Sequence, residues 1–373
     1  MNRPIMILGG YGAFGHRIAW QLAAKGHNLL VVGRNQVKAG ALANSLNMTY
    51  SHCNTQALCF DINQGLEQAL KHHQPKVLIH TCGPFQGQNF DVLNACLKYR
   101  VDYIDLADGR EFIQGIRQHD QAAKDAGVSA ITGASTVPAL SSAVLAEFQA
   151  DGMCIFDEVR YGISPGQKTD RGLATAQAVL SYIGRPIICN GVKRYGWQDM
   201  YLQKYPEISN RLMGNCEVPD LDLLPEFYPI TKLHFSAGME SKLLHLGIWL
   251  CSWFVRFGLP LNLAKHAGLW MKVSRYFDFL GSDDGGMHVI AKGKNKQGES
   301  IECRWFIVAK HGDGPYIPTI PAVLLANKLT QETSYTKGVL PCVGLISLEE
   351  YLNELSLLQV TTHTYLKPSL SSQ

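Results

Sequence analysis

Seven residues near the N-terminus, Gly9-Gly10-Tyr11-Gly12-Ala13-Phe14-Gly15, form the sharpest chemical signal in the chain. Gly10, Gly12 and Gly15 make G-x-G-x-x-G between an apolar segment and a helical period. In such a turn the first glycine permits the tight bend, the second lets the backbone approach a pyrophosphate, and the third lets the helix lie close to the strand. Phosphates would then sit on the helix N-terminus, held by free N–H groups and the helix dipole. A glycine turn without a ligand is the alternative. The strand–turn–helix context favours dinucleotide binding, with Tyr11, Ala13 and Phe14 in the same contact set.

The next candidates follow at the ends of later apolar segments. An acid after the second strand would read the ribose 2′-hydroxyl of NAD. Here the segment ends Val32-Gly33-Arg34-Asn35, and a guanidinium suits a 2′-phosphate through bidentate, charge-assisted bonds. NADP(H) is therefore expected over NAD(H), with Arg34 and Asn35 at that end; the alternative is a solvated arginine at the sheet edge. Asp61, after the third strand, can accept from an adenine amino group or cap the next helix, two readings of equal standing. Thr81-Cys82-Gly83-Pro84-Phe85 is a rigid turn after the fourth strand, at the edge where open α/β sheets bind ligands. Cys82 reads as a small apolar packer and cofactor neighbour rather than a nucleophile, because no partner base is evident.

Substrate contacts are less sharply marked. Asp105, Asp108 and Arg110 follow the fifth strand on the ligand edge. In Lys168-Thr169-Asp170-Arg171-Gly172, Thr169 or Asp170 can cap the helix that follows, while Lys168 or Arg171 can reach into an inter-domain cleft toward an anionic substrate group. The substrate set is thus Asp105, Asp108, Lys168 and Arg171, and no catalytic acid or base can be named. Gly162-Ile163-Ser164-Pro165-Gly166 mimics a nucleophile elbow, but Pro165 lacks the N–H that an oxyanion hole needs. Tyr228 and Lys232 have reductase-like spacing inside a Pro-flanked, loop-like stretch. His72-His73 reads as solvated, and no metal spacing occurs.

The elements that must position these residues alternate. Strands are expected over Pro4–Leu8, Asn28–Val32, Ala57–Phe60, Lys76–Thr81, Asp102–Leu106 and Val128–Thr132. Helices lie between them over 13–25, 39–46, 65–73, 90–99 and, as one long helix, 111–126. That alternation predicts an N-terminal Rossmann doubly wound parallel sheet over residues 1–137, joined by part of 315–373. Residues 138–314 read as a mixed α+β domain for substrate and dimerisation. Its strands are expected over 158–163, 187–195, 287–293 and 300–309, the last two as a hairpin. Helices are expected over 172–182, 321–329 and 348–357.

Composition bounds the rest. The chain has 373 residues, 34 basic against 31 acidic, with 17% charged and 46% hydrophobic, which excludes disorder and gives no nucleic-acid footprint. Ten scattered cysteines form no C-x-x-C pair, and the N-terminal apolar run is too short for a signal peptide, so a cytoplasmic protein with reduced thiols is expected. Leu243–Leu263 is unusually apolar and aromatic, but Arg256 and Pro260 interrupt it. Burial in the second domain or in a homodimer interface is the preferred reading. The others are an apolar wall for a lipid-like substrate, and membrane contact anchored by Lys242, Arg256, Lys265 and Lys272.

Together these motifs resemble the saccharopine dehydrogenase-like (saccharopine reductase) family of NADP-binding oxidoreductases. The resemblance rests on the Gly10/Gly12/Gly15 loop, Gly33-Arg34-Asn35, Asp61, Gly83-Pro84-Phe85 and Tyr103-Ile104-Asp105-Leu106. It extends through Gly133-Ala134-Ser135-Thr136-Val137-Pro138 and, more loosely, Gly314-Pro315-Tyr316 and Pro341-Cys342-Val343-Gly344-Leu345. It implies pyrophosphate at the three glycines, 2′-phosphate at Arg34 and nicotinamide beside Gly83-Pro84-Phe85. It also implies hydride transfer to or from a C=N, C=O or activated C=C substrate held between the domains. The chain departs from the family in its Gly-Gly-Tyr-Gly loop and in Asp105-Leu106-Ala107-Asp108-Gly109, where the expected Glu is displaced, so saccharopine itself is not implied as substrate. The alternative is a non-catalytic NADP(H)-binding sensor or scaffold, membrane-associated in one version.

Overall fold

A computed structural model describes residues 3–170, 172–331 and 335–368. Short buried strands alternate with helices through the first third: β1 (Ile5–Leu8), α1 (Gly15–Ala24), β2 (Leu29–Gly33), α2 (Gln36–Thr49), β3 (Thr55–Cys59), α3 (Ile62–His73), β4 (Val77–His80), α4 (Asp91–Tyr99) and β5 (Asp102–Asp105). Helices α5 (Arg110–Ile116) and α6 (Asp120–Ala126) then lead into β6 (Ser129–Thr132). The single helix expected over 111–126 is broken by a 3₁₀ turn at Arg117–His119, where the chain brings the Asp120 carboxylate to the Val339 N–H at 2.9 Å.

The chain continues with α7 (Ser141–Ala150), β7 (Met153–Ser164), α8 (Leu173–Ser181), β8 (Pro186–Cys189), β9 (Val192–Tyr195), β10 (Tyr201–Gln203), β11 (Arg211–Asn215), α9 (Asp220–Phe227), β12 (Ile230–Met239), α10 (Lys242–Arg256), α11 (Ala267–Arg275), β13 (Gly285–Asn295) and β14 (Ser300–Ala309). It closes with α12 (Ile320–Gln331), β15 (Gly338–Pro341), α13 (Leu348–Glu354) and β16 (Val360–Pro368). The strand expected over 187–195 is a hairpin instead. Asn190 and Gly191 both take positive φ, the conformation an Asn-Gly turn requires. Strand β12 and helices α9, α10 and α11 have no counterpart in the expected elements.

The described residues divide into two compact units, 1–139 with 316–346, and 140–315 with 347–373. The first is built on a seven-stranded parallel sheet in the order β15-β6-β5-β4-β1-β2-β3, the doubly wound fold expected from the alternation. Its central strands are buried end to end, with Ile5–Leu8 and Val77–Ile79 at 0% exposure, as a sheet covered on both faces demands, whereas the edge strand β3 is buried only at Thr55. Helix α12 packs against β4, β5 and α1. Since the chain turns left of β1 to β4 and right of it to β2, the carboxyl ends of β1 and β4 form the switch point where such sheets take ligands.

The second unit carries a mixed seven-stranded sheet, β10-β11-β12-β7-β13-β14-β16, plus the β8–β9 hairpin. Only β12 and β7 pair in parallel; the expected β13–β14 hairpin runs in register from Gly285↔Ala309 to Lys294↔Ser300. One sheet face is apolar, with Val159, Tyr161, Phe235 and Val289 buried, and α7 and α9 pack on β7 and β12.

Candidate functional site

The turn after β1 is closed by its glycines, each for a different reason. Gly9 takes φ +74, so the left-handed bend falls there and not at Gly10 as the motif reading has it. Gly10 is needed for packing: a Cβ on it would lie 2.9 Å from Val31 Cγ1. On Gly15 a Cβ would lie 2.3 Å from the Gly9 carbonyl, so α1 approaches the loop closely only as glycine. Gly12 is exposed, its N–H donating to Gly9 O at 2.8 Å, and a Cβ would meet only that carbonyl at 3.0 Å. Helix α1 then begins without a side-chain cap. Two glycines seal the loop's inner side, while the third leaves bare backbone facing outward, which is the surface a pyrophosphate requires.

Tyr11 ties this loop to the end of β2. Its ring covers Gly33, where a Cβ would fall 2.1 Å from Cε1, and its hydroxyl accepts from Asn35 N–H at 3.0 Å. Asn35 in turn caps α2, accepting from Lys38 N–H at 3.0 Å. Arg34 is exposed beside it. Ala13 and Phe14 are partly exposed on the same loop. Asp61 caps α3, accepting from Asn63 N–H at 3.0 Å, so of its two readings the capping one is visible in the fold. Arg34 and Asp61 both act electrostatically on the Cys82 thiol, from opposite directions, so three sequence-distant candidates converge on one edge. Burial pushes that thiol up to about 11, which leaves it protonated at neutral pH and unfit as a nucleophile.

The turn after β4 is stapled by residues that motif reading passes over. Gln88 donates through Nε2 to the carbonyls of Cys82 and Pro84, each at 2.7 Å, and its Oε1 lies 3.2 Å from His80 Nε2. Because the amide nitrogen is committed to carbonyls, Oε1 must accept, so His80 carries its proton on Nε2. His80 Nδ1 then accepts from Cys82 N–H at 3.3 Å. Burial pushes His80 down to about 4, keeping it neutral. Thr81 fastens the turn to β1 by donating to Leu8 O at 2.7 Å. Gly83 and Pro84 are partly exposed, whereas Phe85 is 3% exposed and packs edge-on against His80 and Phe112. The Phe85 ring therefore belongs to the core, and only the backbone of this turn faces outward.

Asp105 and Asp108, paired in the sequence reading, have different surroundings. Asp105 is fully buried, and its Oδ1 accepts from Ala107 N–H, Thr132 Oγ1–H and Gly133 N–H at 2.8–3.0 Å. It braces the ends of β5 and β6, and burial raises it to about 6. Asp108 is partly exposed, receives Gln86 Nε2–H at 3.2 Å, and is raised by desolvation. In the second unit Lys168 is exposed, with its main-chain N–H donating to Ser282 O; Arg171 lies outside the described residues. Helix α8 starts at Leu173, and its N-cap position is Gly172, not Thr169 or Asp170 as expected.

The decoys resolve as structure. Ser164 is buried at the end of β7, on a strand rather than an elbow. Tyr228 donates to Ser142 O at 2.9 Å and Lys232 is exposed on β12, so the two share no helix face. Among the described residues no group of three or more His, Cys, Asp or Glu could hold a metal ion.

One polar cluster escaped the motif reading. On the sheet face opposite Tyr161, His288 sits at 0% exposure with Tyr205 Oη 2.8 Å from its Nδ1 and Tyr201 Oη 3.2 Å from its Nε2. Tyr201 Oη also lies 2.5 Å from Ser236 Oγ, and the Arg160 guanidinium stands 4.8 Å over its ring. Burial, helped by Arg160, pushes His288 down to about 3, and burial raises Tyr201, so the cluster is a neutral hydrogen-bonded relay. Its only trace in the sequence is polar residues at alternate positions, His234 and Ser236, inside an apolar strand.

Residues 5–131 match the model of the saccharopine dehydrogenase NADP binding domain. No curated protein matches the sequence. Apo saccharopine dehydrogenase (L-Glu forming) from Saccharomyces cerevisiae has a similar structure, with TM-score 0.67 over 97% of this chain and 100% of that one, at 11% identity, which speaks to fold. Amine dehydrogenase from Mycobacterium smegmatis matches 93% of this chain and 97% of its own at TM-score 0.49 and 12% identity. A short-chain dehydrogenase from Sphingobium yanoikuyae in complex with NADPH covers 35% of this chain and 70% of its own, at TM-score 0.27 and 17% identity. Residues 5–131, about a third of the chain, are thus similar to an NADP-binding domain, and the open backbone at Gly12 and the cation at Arg34 fit the phosphates of that cofactor.

Proposed function

We propose that the protein transfers hydride between NADP(H) and a small substrate with a C=N, C=O or activated C=C bond. The observation that carries this reading is the switch-point edge itself: outward backbone at Gly12, an exposed Arg34, and a turn at Gly83-Pro84 stapled from beneath by Gln88. Gly10, Gly12 and Gly15 with Tyr11, Ala13 and Phe14 would hold the pyrophosphate by main-chain N–H groups, and Arg34 with Asn35 the 2′-phosphate. Asp61 and Cys82 would border the adenosine and the centre of the cofactor, with Gly83-Pro84 beside the nicotinamide. When bound, NADP(H) supplies the hydride; the chain's part is to hold donor and acceptor in near-attack geometry and exclude water.

Asp108 is the group on this edge best suited to move the proton. It is partly exposed, and desolvation raises its carboxyl, the direction that a general acid requires. Lys168 would attract an anionic substrate group. Calorimetric titration with NADPH and NADH tests the cofactor half: the wild type prefers NADPH, and Arg34→Asp lowers that preference roughly 10- to 100-fold, the worth of a charged hydrogen bond. An unchanged ratio would remove Arg34 from the site, and no heat with either cofactor would end the reading. With turnover of imines, aldehydes or enoyl thioesters in hand, Asp108→Asn should keep NADPH affinity, lower kcat and lose the alkaline limb of the kcat profile, where a general acid gives up its proton; a profile like the wild type's would clear Asp108 of that role.

A further inference from the structure

Helix α10 is amphipathic the wrong way round. Its inward residues are His245, at 0% exposure with neither ring nitrogen partnered among the described residues, and Ser252, which is also fully buried. Its outward stripe is Leu243, Leu246, Leu250, Phe254 and Phe257, exposed by 43–77% at i, i+3, i+4 spacing. The apolar surface continues through Leu259 and Leu261 to Leu269, Trp270 and Val273 of α11, and on to Tyr276, Phe279 and Leu280. More than half of the exposed large apolar side chains of the described chain lie between 243 and 280. Such a concentration on a surface marks a contact with something apolar.

Charge selects the occupant. Residues 242–280 hold five basic side chains and one acidic, leaving 29 basic and 30 acidic elsewhere, so the positive excess of the whole chain sits in this segment. Arg256 is committed to Gln198 Oε1 at 2.6 Å and to the Tyr195 ring. Lys242, Lys265, Lys272 and Arg275 are exposed and without an acidic partner among the described residues. The one acid, Asp278, is turned to Gln167 Nε2 at 3.0 Å. A second copy of this face would set like charges against each other, whereas an anionic lipid surface neutralises them while its acyl layer takes the leucines. Trp249, Trp253, Trp270 and Tyr276 are the ring types that sit at headgroup depth.

We propose that α10 and α11 dock the protein in the plane of an anionic lipid bilayer. The helices lie on it and do not cross: α10 has 15 residues, about 22 Å at 1.5 Å per residue, against the roughly 30 Å of a hydrocarbon core. No helix among the described residues is long and apolar enough to cross a membrane. The inference is independent of the cofactor reading.

Co-sedimentation of the full chain with vesicles of phosphatidylcholine containing phosphatidylglycerol, against phosphatidylcholine alone, tests it. Binding is expected to the anionic vesicles and at least about tenfold weaker to the neutral ones, since each basic residue near the surface adds to the attraction. Leu246→Glu with Leu250→Glu should abolish binding, and Lys265→Glu with Lys272→Glu should weaken it about tenfold. Circular dichroism should show all variants folded; these positions are exposed, and Leu246→Ser provides a milder replacement should the double variant unfold. Absence of wild-type binding, equal binding to both vesicle types, or binding untouched by the leucine and lysine changes would each overturn the proposal. So would light scattering that shows a dimer broken by the same leucine changes, with no lipid affinity.

Discussion

Helices α1 and α10 have similar apolar stripes and opposite surroundings. In α1 the stripe Ile18, Ala19, Leu22, Ala23 is buried against a parallel sheet, with Gly15 closing the approach. In α10 the corresponding stripe faces outward, and a histidine and a serine face in. Periodicity reports that a helix has two unlike faces; it does not report which face meets protein. For α1 the neighbouring strands are apolar on both sides, so only the apolar face can be accommodated. Around α10 the inner surface is already polar, with Gln198 Nε2 donating to Ser252 Oγ at 3.3 Å, and the apolar face is left for another partner.

That contrast can be broken most sharply at its glycines. Gly15→Val should lower NADPH affinity roughly 10- to 100-fold, because a Cβ 2.3 Å from Gly9 O forces helix and loop apart by an overpacking cost of about 1–3 kcal/mol. Calorimetry checks it; an unchanged dissociation constant would mean the loop is not gripped by α1.

Each unit also holds a buried acid, and the two differ in strength. Asp105 in the first unit is raised from 3.8 to about 6, and Asp220 in the second from 3.8 to about 7, burial being the leading cause in both. A carboxyl raised on folding keeps its proton where the unfolded chain has released it, so its contribution to stability is full below about pH 4. It is lost as pH rises, through about 6 for Asp105 and about 7 for Asp220. Asp105→Asn and Asp220→Asn should each flatten that decline by roughly 1–3 kcal/mol, the Asp220 change over the wider window. Urea midpoints across pH 4–8 measure it. Slopes that match the wild type would show the carboxyls are ionised in the fold.

The smallest effect is expected on the outward side of α10. Gly247 is exposed with nothing within 4 Å of a new Cβ, so Gly247→Ala should stabilise by about 0.5–1 kcal/mol through helix propensity alone. A loss of stability in thermal melts would mean that this face is covered in the free protein.

Much of the first unit was legible because its cues are local. The Gly10/Gly12/Gly15 spacing, the apolar runs of β1, β2 and β4, and Arg34 at the end of β2 need only near neighbours to be read. Even there the bend belongs to Gly9, and the Gln88–His80 staple was missed, since a side chain that donates back to Cys82 and Pro84 leaves no motif. The Asn190-Gly191 turn was present as a dipeptide signal, yet the β-branched residues flanking it read as one strand. The His288 cluster was out of reach, because β7, β12 and β13 meet only through pairings spanning many tens of residues.

By itself, then, the sequence determined the doubly wound sheet, the glycine-closed loop after β1 and the arginine at the end of β2. These follow from backbone stereochemistry and from apolar runs too long to leave in water. Tertiary structure alone decided that Asp105 braces while Asp108 is presented, that Phe85 is core, and that α10 turns its leucines outward. Those outcomes depend on which surfaces remain unfilled after the sheets assemble, a property of the whole chain that no local window contains.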